Sequence, residues 1–202
     1  MPITDVESLK ALYGPVHPLA QIKAIDHLDA NCRAFIANSP FMLLATSNGT
    51  DLDVSPKGDP AGSVIVEDDG RALLLADRPG NNRIDGLLNI IEHPQVATIF
   101  LIPGVRETLR INGRATIHDD AEMLDRCAMN GRRPITVIRI EVDEAYLHCA
   151  KALLRSKIWD TSAWPSQRPV PTMSEMIGDH VGKEVPYESE PDMVERYKTM
   201  LY

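Results

Sequence analysis

Aromatic side chains are scarce here: three Phe, five Tyr and two Trp make up 5% of 202 residues. Aliphatic side chains must therefore fill the core, and a hydrophobic content of 44% is enough to build one. Basic charge is in deficit too. A net charge of -8 and a pI near 5.2 argue against bulk nucleic-acid binding, which needs a basic face. A single local pocket for an anion remains compatible with that balance. The three cysteines, Cys32, Cys127 and Cys149, are an odd count with no CxxC pair. That argues against a disulfide framework or a zinc site and fits a reducing, cytoplasmic setting. No apolar run approaches the ~18 residues of a membrane span. The opening MPITDVESLKALYG has neither a basic n-region nor an apolar h-region, so no signal peptide is expected. GxGxxG after a strand, a Walker loop, GxSxG and HExxH are missing as well. Their absence counts against Rossmann enzymes, NTPases, serine hydrolases and zincins.

What is present is a series of short apolar runs. At this length the chain predicts one domain with decoration, or the subunit of a small dimer. Residues 1–39 read as a helical segment packing on a barrel, 40–160 as the barrel, and 161–202 as a C-terminal extension. Thr4 or Asp5 is expected to cap a first helix ending at Gly14. Asp26 is expected to cap a second helix, whose Leu28, Cys32, Phe35 and Ile36 share one face. Phe41–Thr46 and Leu52–Ser55 read as a hairpin across Ser47-Asn48-Gly49-Thr50. Two prolines and two glycines in the stretch 55–62 argue against a regular central strand there. Ser63–Glu67 and Arg71–Ala76 pair across a turn, and Val96–Ile102 and Thr108–Ile117 follow. Asp85–Glu92 reads as a short helix, and Asp119 or Asp120 as the cap of another, running through Met129. The β-branched residues of Ile135–Val142 predict a strand. Short helices are expected in the second half of 143–156, near Thr172–Ile177 and near Pro191–Met200. Six or seven short strands with few helices between them favour a mostly antiparallel barrel.

The chain is organised around 72–115. Its polar turn Asp77-Arg78-Pro79-Gly80-Asn81-Asn82-Arg83 sits between an apolar strand and a helix start. Guanidiniums, amides and backbone N–H groups at a helix N-terminus are suited to a phosphate. The competing reading is a solvated turn capped by Asp77 and Asn82. The loop Ser55-Pro56-Lys57-Gly58-Asp59 adds a hydroxyl and a second cation, and its alternative is a tight turn with a solvated lysine. In Glu107–Arg114 the odd positions point one way, while Thr108, Arg110, Asn112 and Arg114 point the other. His148-Cys149 has no further ligand at metal spacing, so it reads as a half-buried helix end and no metal site is expected.

Taken in order, VSPKGDPAG (54–62), LLLADRPGNNRIDGLLNIIEHP (73–94), FLIPGVRETLRINGRA (100–115) and YLHCAKALLRSKIW (146–159) give a specific pattern. The chain resembles the pyridoxamine 5'-phosphate oxidase-like FMN-binding split-barrel proteins, in the branch described only as FMN-dependent rather than the vitamin-B6 oxidases. The resemblance implies a mainly β, α+β fold, with a six-stranded antiparallel split β-barrel and peripheral helices. It implies a homodimer with one FMN in each of two interface clefts. By position, Ser55, Lys57, Arg78, Asn82 and Arg83 would hold the phosphate. Thr108 and Arg110 would reach the flavin, often from the neighbouring subunit, with Lys151, Ser156 and Trp159 nearby.

The first segment departs from the vitamin-B6 oxidases. It reads SPKGD where they carry an arginine-plus-lysine strand, and their substrate-phosphate residues have no counterpart in the tail. The resemblance therefore implies an FMN-dependent oxidoreductase acting on another small molecule, by hydride transfer at flavin N5, with no general acid or base identified. The alternatives are a non-catalytic flavin-binding or redox-sensing protein, and an interaction domain that has lost its ligand.

Overall fold

Alternation of apolar and polar side chains decides which residues enter the sheet. The computed structural model describes residues 2–201. Its strands are β1 (Phe41–Ser47), β2 (Leu52–Gly58), β3 (Ile65–Val66), β4 (Ala72–Asp77), β5 (Gln95–Leu101), β6 (Thr108–His118) and β7 (Thr136–His148). Every ladder is antiparallel, and the hydrogen-bonded order is β2-β1-β5-β6-β7-β4-β3. On β1, Met42, Leu44 and Thr46 are buried while their neighbours are not. On β6, Leu109, Ile111 and Gly113 face inward while Thr108, Arg110 and Asn112 face outward. This alternation matches the one read from the sequence.

Two points correct the expected architecture. The sheet has seven strands rather than six, and its backbone ladder does not close into a barrel. β2 also runs on through Ser55-Pro56-Lys57-Gly58, where the sequence argued against a regular strand. The reason is position. β2 lies at the rim of the sheet and pairs only with β1, and a rim strand tolerates a residue without an N–H.

The main core lies on one face of the sheet and includes Met42, Leu44, Leu73, Leu75, Phe100, Leu109, Ile111, Ile138 and Ile140. The helix α3 (Ala30–Ala37) covers part of it, contributing Cys32 and Ile36. α3 begins later than expected: its cap is Asp29, which accepts from Cys32 N at 2.8 Å. Asp26, the expected cap, instead pairs with Arg71. A smaller cluster of Leu74, Ala76, Cys127 and Val137 lies on the opposite face of β4 and β7, against α5 (Ala121–Arg126). The helix α4 (Asp85–Glu92) has the predicted bounds and seats Asn89 and Ile90 in the core.

The remaining helices are α1 (Val6–Ala11), α2 (Pro18–Ile22), α6 (Lys151–Ser156), α7 (Met173–Val181) and α8 (Glu190–Lys198). None of them buries a residue. Within 1–39, therefore, it is α3 that lies on the sheet, while α1 and α2 leave Leu9, Leu12, Leu19 and Ile22 exposed. None of the helices described is long and apolar enough to cross a membrane.

Candidate functional site

Side chains bring β2, at one end of the strand order, together with the end of β4, the strand next to the other end. Lys57 Nζ of β2 lies 2.7 Å from Asp77 Oδ1 at the end of β4. One step further along, Arg78 Nε lies 2.7 Å from Asp59 Oδ2. These pairs are well shielded: the side chains of Lys57 and Asp77 are 24% and 16% exposed, and those of Arg78 and Asp59 are 7% and 15%. The sheet thus curls until its rims face each other, and two ion pairs span the gap that no backbone ladder fills.

Beneath this seam is a cavity of 210 Å³. Lys57, Asp59, Asp77 and Arg78 line it with the apolar Phe41, Met42, Leu75 and Phe100. Pockets that enclose a whole small ligand usually measure roughly 300–1,000 Å³. The seam cavity is smaller, so it suits one end of a nucleotide rather than all of it. Its donor set, an ammonium and a guanidinium, suits a phosphate, although each cation already faces a carboxylate.

The start of α4 lies next along the chain. Ile84, its N-cap, makes no side-chain cap hydrogen bond; its carbonyl oxygen accepts from Leu87 N at 2.9 Å, the third residue of the helix. Asp53 Oδ2 accepts from Ser55 Oγ at 2.6 Å. A methyl group added at Gly86 would lie 3.0 Å from that same Asp53 oxygen, so a glycine lets the helix start settle on this pair. Arg83 is exposed and pairs with Asp85 at 2.6 Å. The Asp85 hydrogen bond raises the pKa of Arg83 above its ordinary value, and the charge of Asp53 adds to the rise. Asn82 takes a left-handed backbone, φ 60°, and is also exposed.

Of the residues expected to hold a phosphate, the fold brings Lys57 and Arg78 into one cavity. Ser55 is two residues from Lys57 on the same face of β2, pointing toward Asp53. Asn82 and Arg83 stay outside the cavity lining, on the turn before α4. The carboxylates Asp59 and Asp77 were not foreseen as seam partners. Each lies about twenty positions from its cation, and no local spacing signals such a pair.

Thr108 and Arg110 sit elsewhere. Ser55 and Lys57 lie opposite Leu44 and Met42, on the core face of the sheet. Thr108 and Arg110 occupy the other face, with Arg110 across from Tyr146. One chain cannot turn both sets toward the same ligand. The last expected group is separate again. Lys151 is exposed, Ser156 Oγ donates to Leu153 O of its own helix at 3.2 Å, and Trp159 Nε1 donates to Val105 O at 2.9 Å. His148 and Cys149 end β7 exposed rather than closing a helix, and no metal-binding cluster occurs among the described residues.

These features define a class: a curled antiparallel β-domain with peripheral helices and a cation-bearing seam between its rims. The chain belongs to the pyridoxamine 5'-phosphate oxidase family, whose model matches residues 28–149, more than half of its length. Comparison with curated proteins finds no match. Among solved structures, the chain is similar to HupZ of Group A Streptococcus, at 18% identity and a TM-score of 0.47, covering 59% of this chain and 92% of that one. It is similar to General Stress Protein 26 of Bacillus anthracis, at 16% and 0.44, covering 57% and 88%. It is also similar to an FAD binding protein of Mycobacterium smegmatis, at 13% and 0.44, covering 61% and 97%.

Proposed function

We propose that this chain binds FMN as a homodimer and works as an FMN-dependent oxidoreductase on a small molecule. The observation that carries the reading is the seam: Lys57 on the rim strand β2 and Arg78 just after β4, far apart in the strand order, converge on one cavity. Such convergence in a chain of net charge -8 suits an anionic group. The phosphate would sit at this seam, beside Ser55 and the start of α4, with Asn82 and Arg83 at its outer edge.

The cavity is too small for the rest of the nucleotide, so the ring would lie outside it. Thr108 and Arg110 face the opposite side of the sheet, and a second copy would present them to that ring. The same outer face carries aliphatic residues for such a contact: Leu52 and Val54 are 82% and 59% exposed. They continue through Ala45 on β1 to Ala97 and Ile99 on β5. When bound, the flavin would supply a hydride acceptor at N5. The chain's own residues would hold the phosphate, orient the ring and exclude water. Lys151, Ser156 and Trp159 would flank the same cleft, with a smaller part in holding the cofactor.

The spectrum of the purified protein tests this directly, with any extracted cofactor identified by mass. A flavin spectrum, FMN as the extracted species and a dimer by light scattering are expected. A colourless monomer that does not quench added FMN would overturn the reading. Reduction of the bound flavin by NADPH or a deazaflavin donor, then reoxidation by a substrate, separates an oxidoreductase from a passive flavin carrier.

A further inference from the structure

We infer that the outer face of β6 and β7 carries a site for a small oxyanion, built from Lys23, Arg110 and Tyr146. Three observations converge there. Arg110 Nε is buried and has no hydrogen-bond partner among the described residues. Its guanidinium carbon lies 5.2 Å from the centroid of the Tyr146 ring. Lys23 Nζ lies 5.0 Å from the same centroid and donates to Leu147 O at 2.8 Å.

Lys23 is held in place by backbone, not by chance. Ile25 and Ala145 exchange two hydrogen bonds, of 3.0 and 2.7 Å, which fasten the segment after α2 along β7. Arg110 is fixed by its ladder position opposite Tyr146. Two cations thus share one aromatic ring, and among the described residues neither has a carboxylate within ion-pair distance. Lys23 is exposed, but Arg110 is part-buried, and the shielded cations Lys57, Arg78 and Arg139 each have a carboxylate: Asp77, Asp59 and Glu67. Glu144, two positions from Tyr146 on the same face, accepts from Asn112 Nδ2 at 2.9 Å.

Like charges gathered without a counter-ion repel, and a buried charged donor left unpaired is costly. Both costs vanish if an anion bridges the two side chains. A guanidinium fork and an ammonium suit a carboxylate or a phosphate ester, and the Tyr146 ring gives the anion's carbon frame an apolar wall. The ligand is therefore a small molecule bearing one such acid group, distinct from the flavin. If the proposed function holds, this site anchors the acid group of the reacting molecule beside the ring. The site itself exists with or without flavin.

The test follows the Arg110 Nε–H resonance in the full-length protein while inorganic phosphate or acetate is added. A saturable shift at millimolar anion is expected. Lys23→Gln should weaken it about tenfold, the loss of one charge-assisted contact. Lys57→Gln, at the seam, should leave it unchanged. Lys23 is exposed, so the variant's dichroism and melting temperature should match the parent. No saturable shift, or the same affinity in Lys23→Gln, would overturn the inference. So would displacement of phosphate from this resonance by FMN, which would make the site the flavin's own phosphate seat. FMN affinity should be unaltered in Lys23→Gln, and failure to bind FMN at all would refute the flavin reading while leaving this one standing.

Discussion

Asp77→Asn separates what the seam does for stability from what it does for binding. Lys57 and Asp77 approach to 2.7 Å with less than a third of either side chain exposed. Exposed pairs contribute about 0–1 kcal/mol, whereas removing one partner of a fully buried pair costs about 3–5 kcal/mol. Partial burial places this loss at about 2 kcal/mol. For a chain of this length that lowers Tm by roughly 4–8 °C. The same change frees the Lys57 ammonium, and a phosphate no longer competes with a resident carboxylate. FMN should then bind about tenfold more tightly, a gain of about 1.4 kcal/mol. Thermal melting without ligand gives the first number, and quenching of flavin fluorescence on titration gives the second. Asp26→Asn is the control for FMN binding, because its partner Arg71 is exposed and precedes β4, at the opposite end of that strand from Asp77. An unchanged Tm would refute the bridging role of the pair. A lower Tm with weaker FMN binding would refute competition and show that Asp77 positions Lys57.

Three further outcomes are expected. Gly113→Ala would drive a Cβ into the Glu141 carbonyl oxygen and against Ile140 Cγ2 at the bulge between β6 and β7. The cost should be about 3 kcal/mol, and a chemical-denaturation midpoint equal to the parent's would contradict the close packing of these strands. Thiol titration of the native protein should show one fast cysteine, the exposed Cys149. Burial pushes the Cys32 thiol up to about 11 and raises that of Cys127, so two slow thiols are expected until unfolding, and a second fast one would contradict their burial. The hydrogen bond from Arg71 holds the Asp26 carboxyl down at about 2. Its contribution to stability is complete above the unfolded value near pH 4 and fades as pH falls through about 2. Asp26→Asn should flatten that part of the acid-unfolding curve, and an unaltered curve would show the pair contributes nothing.

Local signals in the sequence were sufficient where one element settles its own fate. Leu87, Leu88, Ile90 and Ile91 gave α4 its bounds, and the helix expected near Thr172–Ile177 is α7, which the structure caps with Thr172 and Glu175 and carries on to Val181. The burial alternation of β6 was likewise legible, since period two needs no knowledge of neighbours. Legibility failed where the answer depended on position in the sheet. Pro56 counted against a strand because nothing local marks a rim. Asp26 and Asp29 are both reasonable caps by type, and the choice between them was made by Arg71, far along the chain. The candidate site was half legible. Lys57 and Arg78 were visible as cations in constrained loops, but their carboxylates were not, because curling of the sheet makes those pairs. Lys23 carried no signal, since its place depends on the bridge between Ile25 and Ala145.

The proline of β2 has a consequence for how copies of this protein can meet. A rim strand ordinarily offers a row of free amides and carbonyls to any passing strand. Pro56 interrupts that row on one rim, while the other ends in β3, only two residues long. Neither border makes a good template for strand addition, which guards against fibrillar association. Two copies that recognise each other must therefore do so broadside, through side chains.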